Sequence, residues 1–298
     1  MYSCKILLDS ISPAGGRVTT FEVTFPRIVL AEFNTHRVFS RNSASSRAIP
    51  VEKQIKRILE DPFHPIYWGK NQKGMQAEEE FGADHTELLN KKWETYGMMA
   101  VAQAREMLEI GVHKQITNRL LEPFMWHTVI VSSTHWKNFF GLRDSKMAQP
   151  EIKFPAHNML GLYKASKPQE LSPGQWHLPL VTGVDEHTLR GDGVSLSDLV
   201  KISCGRCARV SYLTHEGKRD PLADISLYAD LVKNGHMSPL EHAAMSIGVQ
   251  DWQEYSKNAF ELWMSEQIPM GNFFGFIQHR KTVANEAEYP REDLFDAA

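Results

Sequence analysis

Disulfides, membrane spans and a strong field of one sign are all missing from this sequence. Cysteine occurs three times in 298 residues, a sparse and odd set that argues against a disulfide framework and agrees with a reducing compartment. Lys plus Arg numbers 33 against 36 for Asp plus Glu, a net charge of -3, so no global basic field exists to recruit nucleic acid or an anionic membrane. No run of apolar residues is long enough to cross a bilayer, and the short apolar run near Met1 has neither the basic flank nor the cleavage site of a signal peptide. A soluble, cytoplasmic protein without a membrane partner is the expectation. Gly-x-Gly-x-x-Gly, a Walker loop and Gly-x-Ser-x-Gly are absent too, so the usual dinucleotide cradle, triphosphate cradle and nucleophile elbow are not indicated. What is present, with 42% apolar residues, is enough chain to bury a sizeable core as one large domain or two smaller ones.

The densest chemistry lies in Glu32–Arg47, which packs His36, Arg37, Arg41, Arg47 and the serines Ser40, Ser43, Ser45 and Ser46 behind an apolar run. Guanidinium groups hold phosphate or a pyrimidine carbonyl through paired donors, and hydroxyls fill remaining acceptor sites. A solvated basic loop is the plain alternative.

Period-two alternation of Phe21, Val23 and Phe25 against Thr20, Glu22 and Thr24 predicts a strand. Pro26 and Ile28–Phe33 then predict a short helix that leads to His36. Val51, Ile55, Ile58 and Leu59 recur at helical spacing, and residues 61–74 read as a surface loop. Residues 78–122 predict two helices, ended by Pro123. Phe124–Ser133 is rich in β-branched and aromatic residues and predicts a strand, followed by a helix over 134–141. Residues 166–197, dense in Pro and Gly, read as a connector. Asp220 as N-cap, Pro221 in the first turn, Leu222, Ile225, Tyr228, Leu231 and Val232 on one face and Gly235 at the exit predict a helix. Ser238 and Glu241, three apart around Pro239, fit a capping box.

His236 and His242 have the wrong spacing for a zinc pair on one helix face. Cys204-Gly-Arg-Cys207 has no second pair to complete a metal site, so no metal is expected.

Four segments together resemble the flavin-dependent thymidylate synthases. Thr35-His36-Arg37 with Ser45-Ser46-Arg47 resembles that family's Arg-His-Arg, seven residues, Ser-x-Arg hallmark. Ala208-Arg-Val-Ser211-Tyr resembles its Ala-Arg-Val-Ser-Tyr/Phe. Gly235-His236-Met-Ser238-Pro-Leu-Glu241-His242 resembles its Gly-His-x-Ser/Thr-Pro-Phe-Glu-His. Phe139–Arg143 with Ala148–Ile152 resembles its Leu-Arg and Ala-Gln-x-Glu-Ile segments. The family's order is changed, since the segments that come first there come last here. A circular permutation follows, tolerable where original termini lie close together. Asn272–Lys281 echoes the sequence around His36-Arg37, as a decayed copy or as an unrelated helix.

The resemblance implies an α/β fold, a β-sheet with flanking helices, as a single domain over 1–298. Residues 1–165 would carry the hallmark loop and nucleotide arginine, 166–197 the connector and 198–298 the remaining segments. It implies methylation of dUMP to dTMP, with methylenetetrahydrofolate as carbon donor, FAD as hydride source and NADPH to recharge it, in a homotetramer whose sites lie at subunit interfaces. Catalytic roles carry over to Arg143, Ser45 and Arg47, and substrate contacts to these three with Arg119, Ser46 and Glu32. Flavin contacts carry over to His36, Arg37, Ser211, His236, Ser238, Glu241 and Asn138. Thr35 and Ser43 stand where the family has an arginine and a glutamate. Those departures leave two further readings, a flavin- and folate-dependent hydroxymethylation or methylation of another pyrimidine nucleotide such as dCMP, and a non-catalytic nucleotide-binding scaffold.

Overall fold

In the computed structural model, which describes residues 1–210, 220–258, 270–284 and 286, the N-terminal apolar run is a strand, β1 (Ser3–Ile11). It pairs antiparallel with the alternating segment, β2 (Arg17–Pro26). Phe21, Val23 and Phe25 are fully buried, as their period of two requires. The path then runs through α1 (Leu30–Asn34), β3 (Ser40–Ser43) and α2 (Val51–Glu60). Next come α3 (Ala83–Glu109), α4 (Lys114–Thr117) and a 3-10 turn over Asn118–Phe124. Two helices were expected before Pro123; one is long and the other a single turn. Gly97 does not break α3, because it faces Phe124, whose ring would lie 3.3 Å from an added Cβ.

β4 (Trp126–Ser133) is followed by α5 (Lys137–Arg143) and α6 (Pro150–Ala165). β5 (Gln169–Glu170) completes a sheet of order β3-β4-β2-β1-β5, antiparallel except at β1–β5. One face of this sheet buries the main core: Phe21, Phe25, Phe33, Phe39, Trp136, Phe139 and Met159 pack there beneath α5 and α6.

The expected connector is more ordered than its composition suggests. It holds β6 (Trp176–His177) and α7 (Gly183–Gly191), which starts with a capping box between Thr182 and Asp185. α8 (Leu196–Arg209) and α9 (Pro221–Lys233) then pack together. Asp220 caps α9 as expected, accepting from the Leu222 and Ala223 amides. Leu222 departs from the expected buried face: it is 78% exposed, since a first-turn residue projects beyond the contact with α8. The last described elements are β7 (Ala244–Ser246), α10 (Val249–Lys257) and β8 (Phe276–Gln278), giving a second sheet β6-β7-β8.

The other face of the main sheet meets this second half through polar groups. His177 Nδ1 pairs with Ser10 and its Nε2 with Thr20, each at 2.8 Å; Thr20 pairs with Ser132, which pairs with His242 Nδ1 at 2.8 Å. Burial holds both histidines neutral, with pKa values pushed down to about 3. This chain of bonds fixes where the two halves meet, because each buried hydroxyl left unpaired costs about 1–3 kcal/mol.

Candidate active site around strand β3

α1 is short, so the carbonyl of Glu32 near its C-terminus remains available to side chains. Arg143, in the last turn of α5, donates to it from Nη2 at 3.2 Å, to Thr35 Oγ1 at 3.1 Å, and from Nε to His36 Nε2 at 3.0 Å. Arginine carries donors only, so His36 Nε2 must be the acceptor and the ring proton sits on Nδ1. Burial, then the nearby charges of Arg143 and Arg41, push the His36 pKa down to about 4, and a hydrogen bond with Asn138 partly offsets this. The ring stacks on Phe39, centroids 5.6 Å apart, and meets the edge of Phe139 at 5.0 Å.

Beside this clasp lies a cleft of about 850 Å³ walled by Phe39, Trp136, Phe139, Phe140 and Tyr163. Arg37, Lys137 and Lys164 also line it, and among the described residues no carboxylate does. Trp136 is 2% exposed, and its indole N–H has no acceptor among the described residues. An aromatic wall, three cations and an unpaired buried donor fit a planar, polyanionic ligand, and FAD has that chemistry.

At the opposite end of β3 the chain reaches Ser45, Ser46 and Arg47. Ser46 is buried, and its hydroxyl donates to Glu122 Oε1 at 2.7 Å. The same oxygen accepts from Arg119 Nη1 at 2.8 Å and Arg27 Nη2 at 3.3 Å. Arg47 is exposed. Glu122 therefore organises two of the expected substrate residues, Ser46 and Arg119; it lies in a segment that reads as an ordinary helix end.

The second half approaches β3 from the side. Asn42 is buried and donates to the Cys207 carbonyl at 2.7 Å, while its Oδ1 accepts from Ser238 Oγ at 3.4 Å. Ser238–Glu241 forms a 3-10 turn with Met237 as N-cap and no side-chain cap bond, which corrects the expected capping box. Glu241 is drawn instead to Arg280, whose Nη1 donates to its Oε1 at 2.6 Å; a charged donor outcompetes a backbone amide. His236 is exposed beyond the end of α9, and Ser211 lies outside the described residues.

Thr35, His36, Arg37 and Asn138 thus meet at the aromatic cleft, and Arg143, outside its lining, is tied to it through His36 and Thr35. Ser46 and Arg119 meet at Glu122, and Ser238 and Glu241 line the flank of β3. Cys204 and Cys207 are buried and in no disulfide, burial raising both thiol pKa values, and no metal-ligand cluster occurs among the described residues. Nor is any described helix long and apolar enough to cross a membrane.

Sequence comparison matches residues 10–169 to the family described as thymidylate synthase complementing protein. No curated protein matches. Among solved structures, a UMP/dUMP methylase, PolB from Streptomyces cacaoi, bound with 5-Br UMP aligns at 16% identity with a TM-score of 0.45. The alignment covers 55% of this chain and 89% of that one. The same methylase bound with 5-Br dUMP aligns at 13% identity with a TM-score of 0.43, covering 55% and 90%.

Proposed function

Because this chain belongs to the family of thymidylate synthase complementing proteins, we propose that it methylates the C5 carbon of a pyrimidine deoxynucleotide monophosphate, dUMP in the first place. Methylenetetrahydrofolate would be the carbon donor and NADPH the reductant for the flavin. FAD, when bound, supplies the hydride that completes the methyl group. The observation that carries this reading is the bond from Arg143 to His36, which joins two of the resembling segments at the mouth of one aromatic cleft.

Within that reading His36, Arg37 and Asn138 hold the flavin. His36 keeps its proton on Nδ1 and stays neutral, so it adds no charge to the three cations already there. Arg143 spends Nε and Nη2 on the hallmark turn, and its Nη1 has no partner among the described residues. That leaves donors for a pyrimidine carbonyl or phosphate, where negative charge developing on the ring is stabilised. Ser45, Arg47 and Arg119 take the nucleotide from the other end of β3. Since the two groups lie at opposite ends of this strand, we infer that sites draw on more than one copy, in a homotetramer. The changed order of segments reads as a circular permutation within a single domain over 1–298, supported by the bonds of Asn42 to the second half.

Purified protein incubated with FAD, NADPH, methylenetetrahydrofolate and either dUMP or dCMP tests the reading. A methyl group added to dUMP is the expected product by mass. A hydroxymethyl product, or reaction with dCMP alone, would replace the substrate assignment. A colourless protein that takes up no FAD would leave only a nucleotide-binding scaffold.

A further inference from the structure

The segment that echoes the hallmark, Asn272–Lys281, is neither a helix nor a conformational copy of the first. His36 follows helix α1, whereas His279 follows strand β8 and opens a 3-10 turn, His279–Thr282. Its side chains nevertheless reach the hallmark strand. Gln278, 2% exposed, donates from Nε2 to Ser40 Oγ at 2.9 Å and to the Glu241 carbonyl at 3.1 Å, while its Oε1 accepts from the Asn272 amide at 3.1 Å. Gly271, with φ at +57°, makes room: a Cβ there would fall 1.8 Å from Gln278 Oε1. Two residues on, Arg280 donates from Nη1 to Glu241 Oε1 at 2.6 Å and from Nε to Glu286 Oε2 at 2.7 Å. The Glu241 charge also acts on Arg41, opposing the burial that lowers the Arg41 pKa, and Arg41 donates to Asn34 in α1 at 3.0 Å. A line of alternating partners thus runs from α1 through Arg41, Glu241 and Arg280 to Glu286.

We propose that Arg280 and Gln278 are positioning residues that set the carboxylate of Glu241 and the Ser40 end of β3 for the flavin. Arg280 fixes the Glu241 side chain, and Gln278 fixes its backbone against the hallmark strand. Among the described residues the remaining polar contacts of the two stay in this network, Gln278 accepting from the Asn272 amide and Arg280 donating to Glu286. The echo segment therefore contributes to the site through Glu241 and not by direct contact. This inference rests on the reading of Glu241 as a flavin-side residue.

The test compares wild type, Arg280→Met, Arg280→Lys, Gln278→Leu, Glu241→Gln and the double variant Arg280→Met/Glu241→Gln. FAD affinity is read from flavin fluorescence, and the melting temperature of the flavin-free protein from circular dichroism. Arg280→Met is expected to weaken FAD binding about tenfold, because a charge-assisted bond to the carboxylate is lost. Its flavin-free melting temperature should move little, since a partly exposed ion pair contributes modestly to stability. Arg280→Lys should recover part of the affinity, and the double variant should bind no more weakly than Glu241→Gln alone. Gln278→Leu should lower both affinity and melting temperature, as Gln278 is buried. Unchanged affinity in Arg280→Met, or additive losses in the double variant, overturns the proposal while leaving the flavin reading intact. A wild type that binds no FAD removes both.

Discussion

His36 shows how one residue's protonation is decided by its neighbours. Burial and the donors of Arg143 hold it neutral, and His127, His177 and His242 are likewise pushed down to about 3 by burial. Their folded pKa values lie below the ordinary value near 6.5. Between about pH 6.5 and pH 4 the unfolded chain therefore binds protons that the folded chain refuses, and stability is complete above this window and lost as pH falls through it. Urea midpoints should drop steadily from pH 7 to pH 4.5, each such histidine contributing up to about 1.4 kcal/mol per pH unit; a flat profile would contradict the neutral assignment. Arg143 gives a second expectation at this scale. It bonds His36 and Thr35, which line the cleft, and the Glu32 carbonyl, so Arg143→Ala should weaken nucleotide and FAD together. Titrating both ligands checks this, and loss of nucleotide binding alone would mean that the clasp does not orient His36.

Among the elements, α8 and α9 depend on a close approach that one glycine permits. A Cβ on Gly205 would lie 2.4 Å from the Asp224 carbonyl oxygen, so Gly205→Ala must separate the helices. A destabilisation of about 1–3 kcal/mol is expected, as for other overpacked contacts. Asp224, 1% exposed, accepts from Arg206 Nε at 3.2 Å and Arg209 Nε at 2.6 Å. Arg206 is itself buried and, among the described residues, retains Asp185 and the Leu180 carbonyl when Asp224 is removed. Asp224→Ala should therefore cost more, about 3–5 kcal/mol. Chemical denaturation of the two variants checks the order, and a milder Asp224→Ala would argue that the ion pairs are solvated. These helices were only partly legible beforehand. α9 carries its cap, its proline and its exit glycine locally, whereas α8 holds buried polar and small residues whose reason is the neighbouring helix.

For the whole molecule, β3 is where everything is joined. The main sheet pairs it with β4, the cleft lies before it, Glu122 gathers the loop after it, and the second half bonds Ser40 and Asn42 on its flank. One cooperative unit follows: tryptophan fluorescence and far-ultraviolet circular dichroism should report one coincident unfolding transition in urea. Two separated transitions would mean that residues 1–165 and 198–298 fold as independent domains. Light scattering checks the proposed tetramer in the same preparation.

The alternation of β2, the cap of α9, the helix leading to His36 and the content of the four segments were determined by local sequence, because each depends on residues a few positions apart. Tertiary structure alone decided that Arg143 reaches His36, that Glu122 answers to Ser46 and Arg27, and that Glu241 forgoes a capping role for Arg280. Those partners lie from about forty to more than a hundred residues apart in sequence, and no local pattern encodes which donor will find which acceptor. The connector divides between the two: the capping box of Thr182 and Asp185 that starts α7 is local, whereas the bond of Arg206 to Asp185 from α8 is tertiary.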